Sequence, residues 1–344
     1  MGSVARINGL VAILAIAPAC DSVFGLDTPN QSTPCGVFDD PVPVPIDPRL
    51  VQPVRLTFTH PGDGGLGVVN ARLDDMGLRR DLTVKWDGAM WAYDDTRMNG
   101  FDELASQNLR HMTATRFDEN RMYGSLRLSS DGKWHVYAFA RTLMGTTMKW
   151  AQDADAKEVA ISTGQDSYPG GELVVLTGAN DDRQRSVPVF RYASASDFSW
   201  TTAIAERPAG ADTSWSDAFS GGHSATELIN AGQWSTGGSL IRLQVGPQKN
   251  ANVLFYAARP RGTNIGSDLF VSLLESGRYP VGTPIASVNS DQDDVEPWVD
   301  DACTTLVFRR ADPAGDRSND DGDTITDGVI YQSTVIPGSG PDGS

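Results

Sequence analysis

The sequence predicts an all-β protein, a β-propeller of six four-stranded blades, on three observations. The 344 residues contain 35 Gly and 20 Pro without a collagen-like period, which implies many turns and hence many short strands. Apolar segments are short and bounded by Gly, Asp or Asn, as in residues 54–59 (VRLTFT), where apolar and polar residues alternate. Strand-like segments ending in an aromatic residue recur along the chain, as expected for repeated small sheets that cannot stand alone.

The chain opens with an export signal at residues 1–19: one basic residue, Arg6, then an apolar core too short to span a bilayer, then Ala17-Pro18-Ala19. Two readings stand at the cleavage point. Cleavage after Ala19 by ordinary signal peptidase releases a free protein, whereas a lipoprotein box makes Cys20 a lipidated first residue. Residues 20–50 then form a lipid-anchored tether, since residues 41–48 (PVPVPIDP) alternate proline in the manner of an extended polyproline segment. Residues 51–337 form the propeller, and residues 338–344 form a disordered tail. Cys35 and Cys303 are an even pair in an oxidising compartment, either one disulfide or two separate thiols.

The repeat is read from residues 87–97 (DGAMWAYDDTR), 131–141 (DGKWHVYAFAR), 250–259 (NANVLFYAAR) and 302–310 (ACTTLVFRR), with a weaker copy at 170–178. Anchors Tyr93, Tyr137, Leu176, Tyr256 and Phe308 lie 44, 39, 80 and 52 residues apart. The long gap accommodates a degenerate unit around residues 215–219, which gives six blades of about 40 to 45 residues each. The acidic stretch 289–301 is expected in a loop ahead of an inner strand, with its carboxylates mostly solvated. Arg97, Arg141, Arg259 and Arg310 recur with the repeat, a placement that favours inter-blade contacts over an anion-binding ring.

Residues 129–141 (SSDGKWHVYAFAR) resemble the S-P-D-G-K-x-I-x-F-x-S-x-R repeat of TolB-type β-propellers, and residues 289–308 (NSDQDDVEPWVDDACTTLVF) are similar to the form found in exported bacterial propellers. Residues 268–285 fit the outer strand and connection that precede it in that family. Ala302 and Cys303 replace the usual Asp-Gly turn, and the departures leave five to seven blades open. The resemblance implies an envelope-associated, non-catalytic module that binds a protein or glycan, and it carries over no catalytic residue.

Several function classes are excluded or narrowed by chemistry. A net charge of −16 without a basic stripe argues against nucleic-acid binding. His60, His111, His135 and His223 lack the paired spacing of a zinc motif. No G-x-S-x-G nucleophile elbow is present. Residues 316–328 (DRSNDDGDTITDG) resemble aspartate-rich calcium loops, with Asn319, Asp321, Asp323 and Asp327 as candidate ligands, but Arg317 occupies the place of the first aspartate. The alternative is a solvated hairpin connection. No cofactor is expected apart from this calcium. The leading expectation is a monomeric envelope lipoprotein whose partner is an envelope protein or glycan, touching the membrane through its lipid anchor only. The alternatives are a secreted propeller glycoside hydrolase or lyase, and a calcium-dependent adhesion module.

Overall fold

The computed structural model describes residues 33–58, 65–74, 79–98, 109–114, 120–127, 134–152, 168–177, 184–193, 200–204, 233–243, 251–260, 266–273, 281–300, 302–311 and 328–339. These residues form a β-propeller. The N-terminal strand β1 (Val42–Pro43) joins the last blade, and the blades then follow in chain order. Blade 1 is β2 (Leu50–Phe58), β3 (Leu66–Leu73), β4 (Arg80–Trp86) and β5 (Trp91–Tyr93); blade 2 is β6 (Leu109–Ala114), β7 (Arg121–Arg127), β8 (Trp134–Met144) and β9 (Thr147–Gln152). Blade 3 shows β10 (Tyr168–Thr177), β11 (Gln184–Ala193) and β12 (Trp200–Ile204). Blade 4 is β13 (Gln233–Arg242), β14 (Asn252–Pro260), β15 (Asp268–Leu273) and β16 (Thr283–Pro284). Blade 5 is β17 (Asp293–Val299), β18 (Thr305–Ala311) and β19 (Gly328–Thr334), completed on its outer edge by β1. Every pairing within a blade is antiparallel.

The described residues therefore make five sheets, not the six that the anchor spacing predicts. Strands β2, β6, β10, β13 and β17 each touch the next, and β17 touches β2, so the ring closes with these five innermost. The unit expected around residues 215–219 lies outside the described residues. The anchors miscount because they are out of phase. Tyr93 lies on a fourth strand, Tyr137 on a third, Leu176 on a first, and Tyr256 and Phe308 on second strands. An aromatic at the end of an apolar run suits any strand of a blade that is covered on both faces, so it marks strands without marking blades.

The core is divided among the blade interfaces. Between blades 4 and 5, Val253, Phe255 and Leu269 pack with Val295, Leu306 and Phe308. Between blades 5 and 1, Trp298, Val307 and Ile330 pack with Leu56, Phe58, Val69 and Trp91; Phe58 lies 5.2 Å from Trp91 and 5.6 Å from Trp298 between ring centroids. Between blades 1 and 2, Leu66 and Val68 meet Met112, Met122, Phe139 and Trp150. Blades 1 and 5 thus bury both faces against neighbours, which is why their inner strands are apolar on alternate and adjacent positions alike.

Polar latches cross the same interfaces. Asp81 of blade 1 accepts the Met112 backbone N–H at 2.8 Å and an Asn70 amide hydrogen at 3.0 Å, while Arg55 donates to the Met112 carbonyl at 2.7 Å. Hydroxyls on innermost strands reach the next innermost strand: Ala114 N–H donates to Thr57 Oγ1 at 3.0 Å, and Val299 N–H to Ser239 Oγ at 3.1 Å. Of the recurring arginines, Arg141 donates to the Thr96 carbonyl of blade 1, and Arg97 supplies the carbonyl that accepts from Trp150 Nε1 at 2.8 Å.

Residues 33–50, assigned from the sequence to the tether, are part of the closure. Phe38 is buried in the core between blades 4 and 5, Val42–Pro43 pair with Gln332 and Tyr331, and Ile46 bridges to Trp91. Cys35 and Cys303 form a disulfide with a Cα–Cα distance of 5.6 Å across 268 residues of chain. Proline-rich sequence reads equally as polyproline or as an outermost strand, where a missing N–H breaks no ladder.

Candidate functional site

All five innermost strands are interrupted by a β-bulge where they pair with the second strand of their blade. The register shifts fall between Val51 and Arg55, Arg110 and Thr113, Pro169 and Glu172, Ser235 and Gly238, and Val295 and Trp298. Pro53, Met112, Gly171, Gly237 and Pro297 thus recur about every 60 residues, which is the true repeat. A bulge frees a residue from the ladder and re-aims it, and such devices gather at rims and active sites.

Solvent enters at this level. On β17 every residue is buried except Glu296, and on β2 the half-exposed residues are Val51, Gln52 and Pro53, while Val54 to Phe58 are buried. Because β2 and β17 are innermost strands in contact with each other, both partly exposed bulges lie on the inner ring of the propeller. Gln52 and Glu296 both have left-handed backbones, with φ of 51° and 56°, and each precedes a proline. Such a conformation costs a non-glycine residue roughly 1–3 kcal/mol and is retained where the surroundings enforce it. The ring also carries His111 in the bulge of β6 and Gly170-Gly171 in that of β10.

Glu296 has an electrostatic partner. Its Oε2 lies 3.8 Å from Nε of Arg309, whose side chain is 4% exposed against 14% for that of Glu296. That oxygen is buried and has no hydrogen-bond partner among the described residues, so its accepting capacity is unspent. The innermost strands carry four acids: Glu172, Asp293, Asp294 and Glu296. Two of these are committed elsewhere. Asp293 accepts the Ser267 backbone N–H, and Asp294 accepts from Arg310 Nε at 2.7 Å and from the N–H and hydroxyl of Ser290. Glu172 lies immediately after its bulge, on a strand that approaches both β17 and β2 across the ring.

The acidic stretch 289–301 is therefore not a solvated loop. Asp293, Asp294 and Asp300 are buried, and Asp300 closes its own turn by accepting from Thr304 and Thr305. Asn289 exchanges both hydrogen bonds with the Leu269 backbone of blade 4, and Arg310 spans from Asp294 to the Val288 carbonyl. Burial pushes the neighbouring Asp268 carboxyl up to about 6, aided by the charges of Asp294 and Asp293. Burial also raises Asp294, outweighing its arginine. Asp47, in the closure segment, is held at about 2, chiefly by its hydrogen bonds from the Arg49 side chain.

The remaining candidates divide simply. Cys20, and Asn319, Asp321, Asp323 and Asp327 of the calcium-like loop, lie outside the described residues. Among the described residues no group of three or more His, Cys, Asp or Glu is placed to hold a metal ion. No helix among them is long and apolar enough to cross a membrane. Sequence reasoning overlooked Glu296 as a site residue, although the matching runs Val51-Gln52-Pro53-Val54 and Val295-Glu296-Pro297-Trp298 were in view.

The sequence matches no protein-family model and no curated protein. Solved structures with a similar course of the chain include an α-L-arabinofuranosidase from Lactobacillus brevis (12% identity, TM-score 0.48, covering 84% of this chain and 92% of that one). An α-L-arabinofuranosidase from Podospora anserina in complex with cellotriose gives 8% identity and TM-score 0.48, covering 88% and 98%. An endo-arabinase from Bacteroides thetaiotaomicron gives 12% and 0.41, covering 86% and 96%. These neighbours are carbohydrate-cleaving enzymes rather than TolB-type lipoproteins. The TolB-type resemblance is corrected accordingly, and the non-catalytic module inferred from it falls with it. Its two motif copies also occupy different strands of their blades, the third in blade 2 and the first and second in blade 5. At such identities and TM-scores the likeness says nothing of activity, which has to be argued from this chain's own residues.

Proposed function

We propose that the chain is an exported glycoside hydrolase acting on a neutral glycan, with its site in the central channel at the level of the five bulges. The observation that supports this most is Glu296: a carboxylate in a left-handed bulge, at the one opening to solvent on its strand, beside a buried arginine. Glycoside cleavage requires two carboxyl groups on either side of the scissile bond, one to donate a proton and the other to act as base or nucleophile. The fourth acid on the innermost strands, Glu172, is the candidate partner, placed by its backbone immediately after the bulge of β10. The net charge of −16 repels polyanionic glycans, which favours hydrolysis of neutral sugars over elimination from uronates.

The test is a screen of the mature chain against neutral pentose- and hexose-based glycosides, arabinofuranosides and arabinan included, alongside Glu296→Gln and Glu172→Gln. Loss of either carboxyl is expected to lower kcat about 10²–10⁴-fold, the usual scale for a general acid or base. Wild-type turnover that survives Glu296→Gln undiminished places the chemistry elsewhere and ends the proposal.

A further inference from the structure

We infer that Arg309 is a positioning residue for the Glu296 carboxylate, a role that rests on the hydrolase reading because it acts within the same site. The fold places Arg309 where it can restrain Glu296 without meeting a substrate. It sits on the second strand, paired with Val295, directly behind the start of the bulge. Its side chain is more deeply buried than the carboxylate it faces. A bulged residue has lost its ladder hydrogen bonds, so its side chain needs another restraint. A guanidinium is suited to that, because its planar cationic fork holds a carboxylate in a fixed geometry.

The third strand makes room for this arginine. Gly328 on β19 lies beside it, and a Cβ there would come within 3.0 Å of Arg309 Cγ and Cδ and 3.1 Å of the Arg310 carbonyl. A side chain at 328 would push the arginine stem off its course toward Glu296. The 3.8 Å separation is a charge contact rather than a hydrogen bond. Arg309 therefore holds the buried Oε2 of Glu296 in place, while the 14% of that side chain that remains exposed is the part a ligand in the channel can meet.

Two readouts on the mature chain decide the matter. On the best substrate of the screen, Arg309→Met is expected to lower kcat roughly 10–100-fold, the scale of a misplaced reacting group, with KM held within about twofold. Arg309→Lys is expected to restore part of the loss, and Arg309→Met is expected to add little to Glu296→Gln. A raised KM with kcat intact would make Arg309 a substrate contact and overturn the inference, as would unchanged kinetics. The second readout needs no substrate: a double-mutant cycle of Glu296→Gln and Arg309→Met on urea unfolding. Non-additivity supports the contact and strict additivity overturns it, whatever the kinetics. A wild-type chain inactive on every glycan removes the hydrolase reading itself, and is told apart from failure of the positioning role, in which wild type is active and Arg309→Met matches it.

Discussion

Opening the Cys35–Cys303 bridge should loosen the ring at its seam, by an amount that the chain length sets. The two cysteines are 268 residues apart, so in the chain-entropy model the bond removes about 19 cal/mol/K from the unfolded ensemble, or ~5.6 kcal/mol at 25 °C. Residual structure in the unfolded chain lowers this, and about 4 kcal/mol is a reasonable expectation. With an unfolding entropy near 2.1 cal/mol/K per residue over about 300 residues, 4 kcal/mol corresponds to a fall in Tm of about 6 °C. The assay compares thermal unfolding of the oxidised protein, the same protein reduced, and Cys35→Ser/Cys303→Ser. The entropy account requires the last two to agree with each other and to fall below the first. A reduced protein that melts within about 1 °C of the oxidised one would refute it, showing that the pairing of β1 and the burial of Phe38 already hold the seam alone.

Two further outcomes follow from desolvated carboxylates. Asp268 is raised in the folded state to about 6, so its contribution to stability is present below about pH 4 and is lost as pH rises through about 6. Asp268→Asn should therefore be more stable than wild type at pH 7–8, by about 1 kcal/mol after allowing for solvent around a partly exposed group, and no more stable at pH 4; urea unfolding across that range checks it, and a difference that ignores pH contradicts it. Asp81→Ala removes the acceptor for the Met112 N–H and strands the buried Arg55 charge, at an expected cost of about 3–5 kcal/mol in urea unfolding. A loss below 1 kcal/mol would mean that blades 1 and 2 are held by Met112, Phe139 and their apolar neighbours alone.

The class of fold was legible because it depends on local patterns. Gly- and Asp-bounded apolar runs mark strands, and runs such as 253–258 carry apolar residues on both faces because both are covered. Blade number was not legible from the aromatics, for Tyr137 and Phe308 end apolar runs on different strands of their blades. The in-phase signal was the bulge, written as Gln-Pro, Gly-Gly or Glu-Pro and so invisible to a search for similar side chains. The buried acids were misread for another reason. Asp294 looks solvated until Arg310, 16 residues on, is seen to fold back upon it, and Asp293 depends on a backbone N–H from the preceding blade. Asp300 with Thr304 and Thr305 is a local turn and could have been recognised.

Because β1, the first strand among the described residues, supplies the outer edge of blade 5, that blade joins residues 42–43 to residues 293–334. The segment around Val37 donates to Ser339, and β1 has its partner only once residues 328–334 exist. A polypeptide made from its amino end must therefore carry residues 37–44 without their partners until the last described sheet is made, whereas residues 45–47 find theirs at Trp91 of blade 1. Trimming residues 37–44 or residues 328–339 should injure the same sheet.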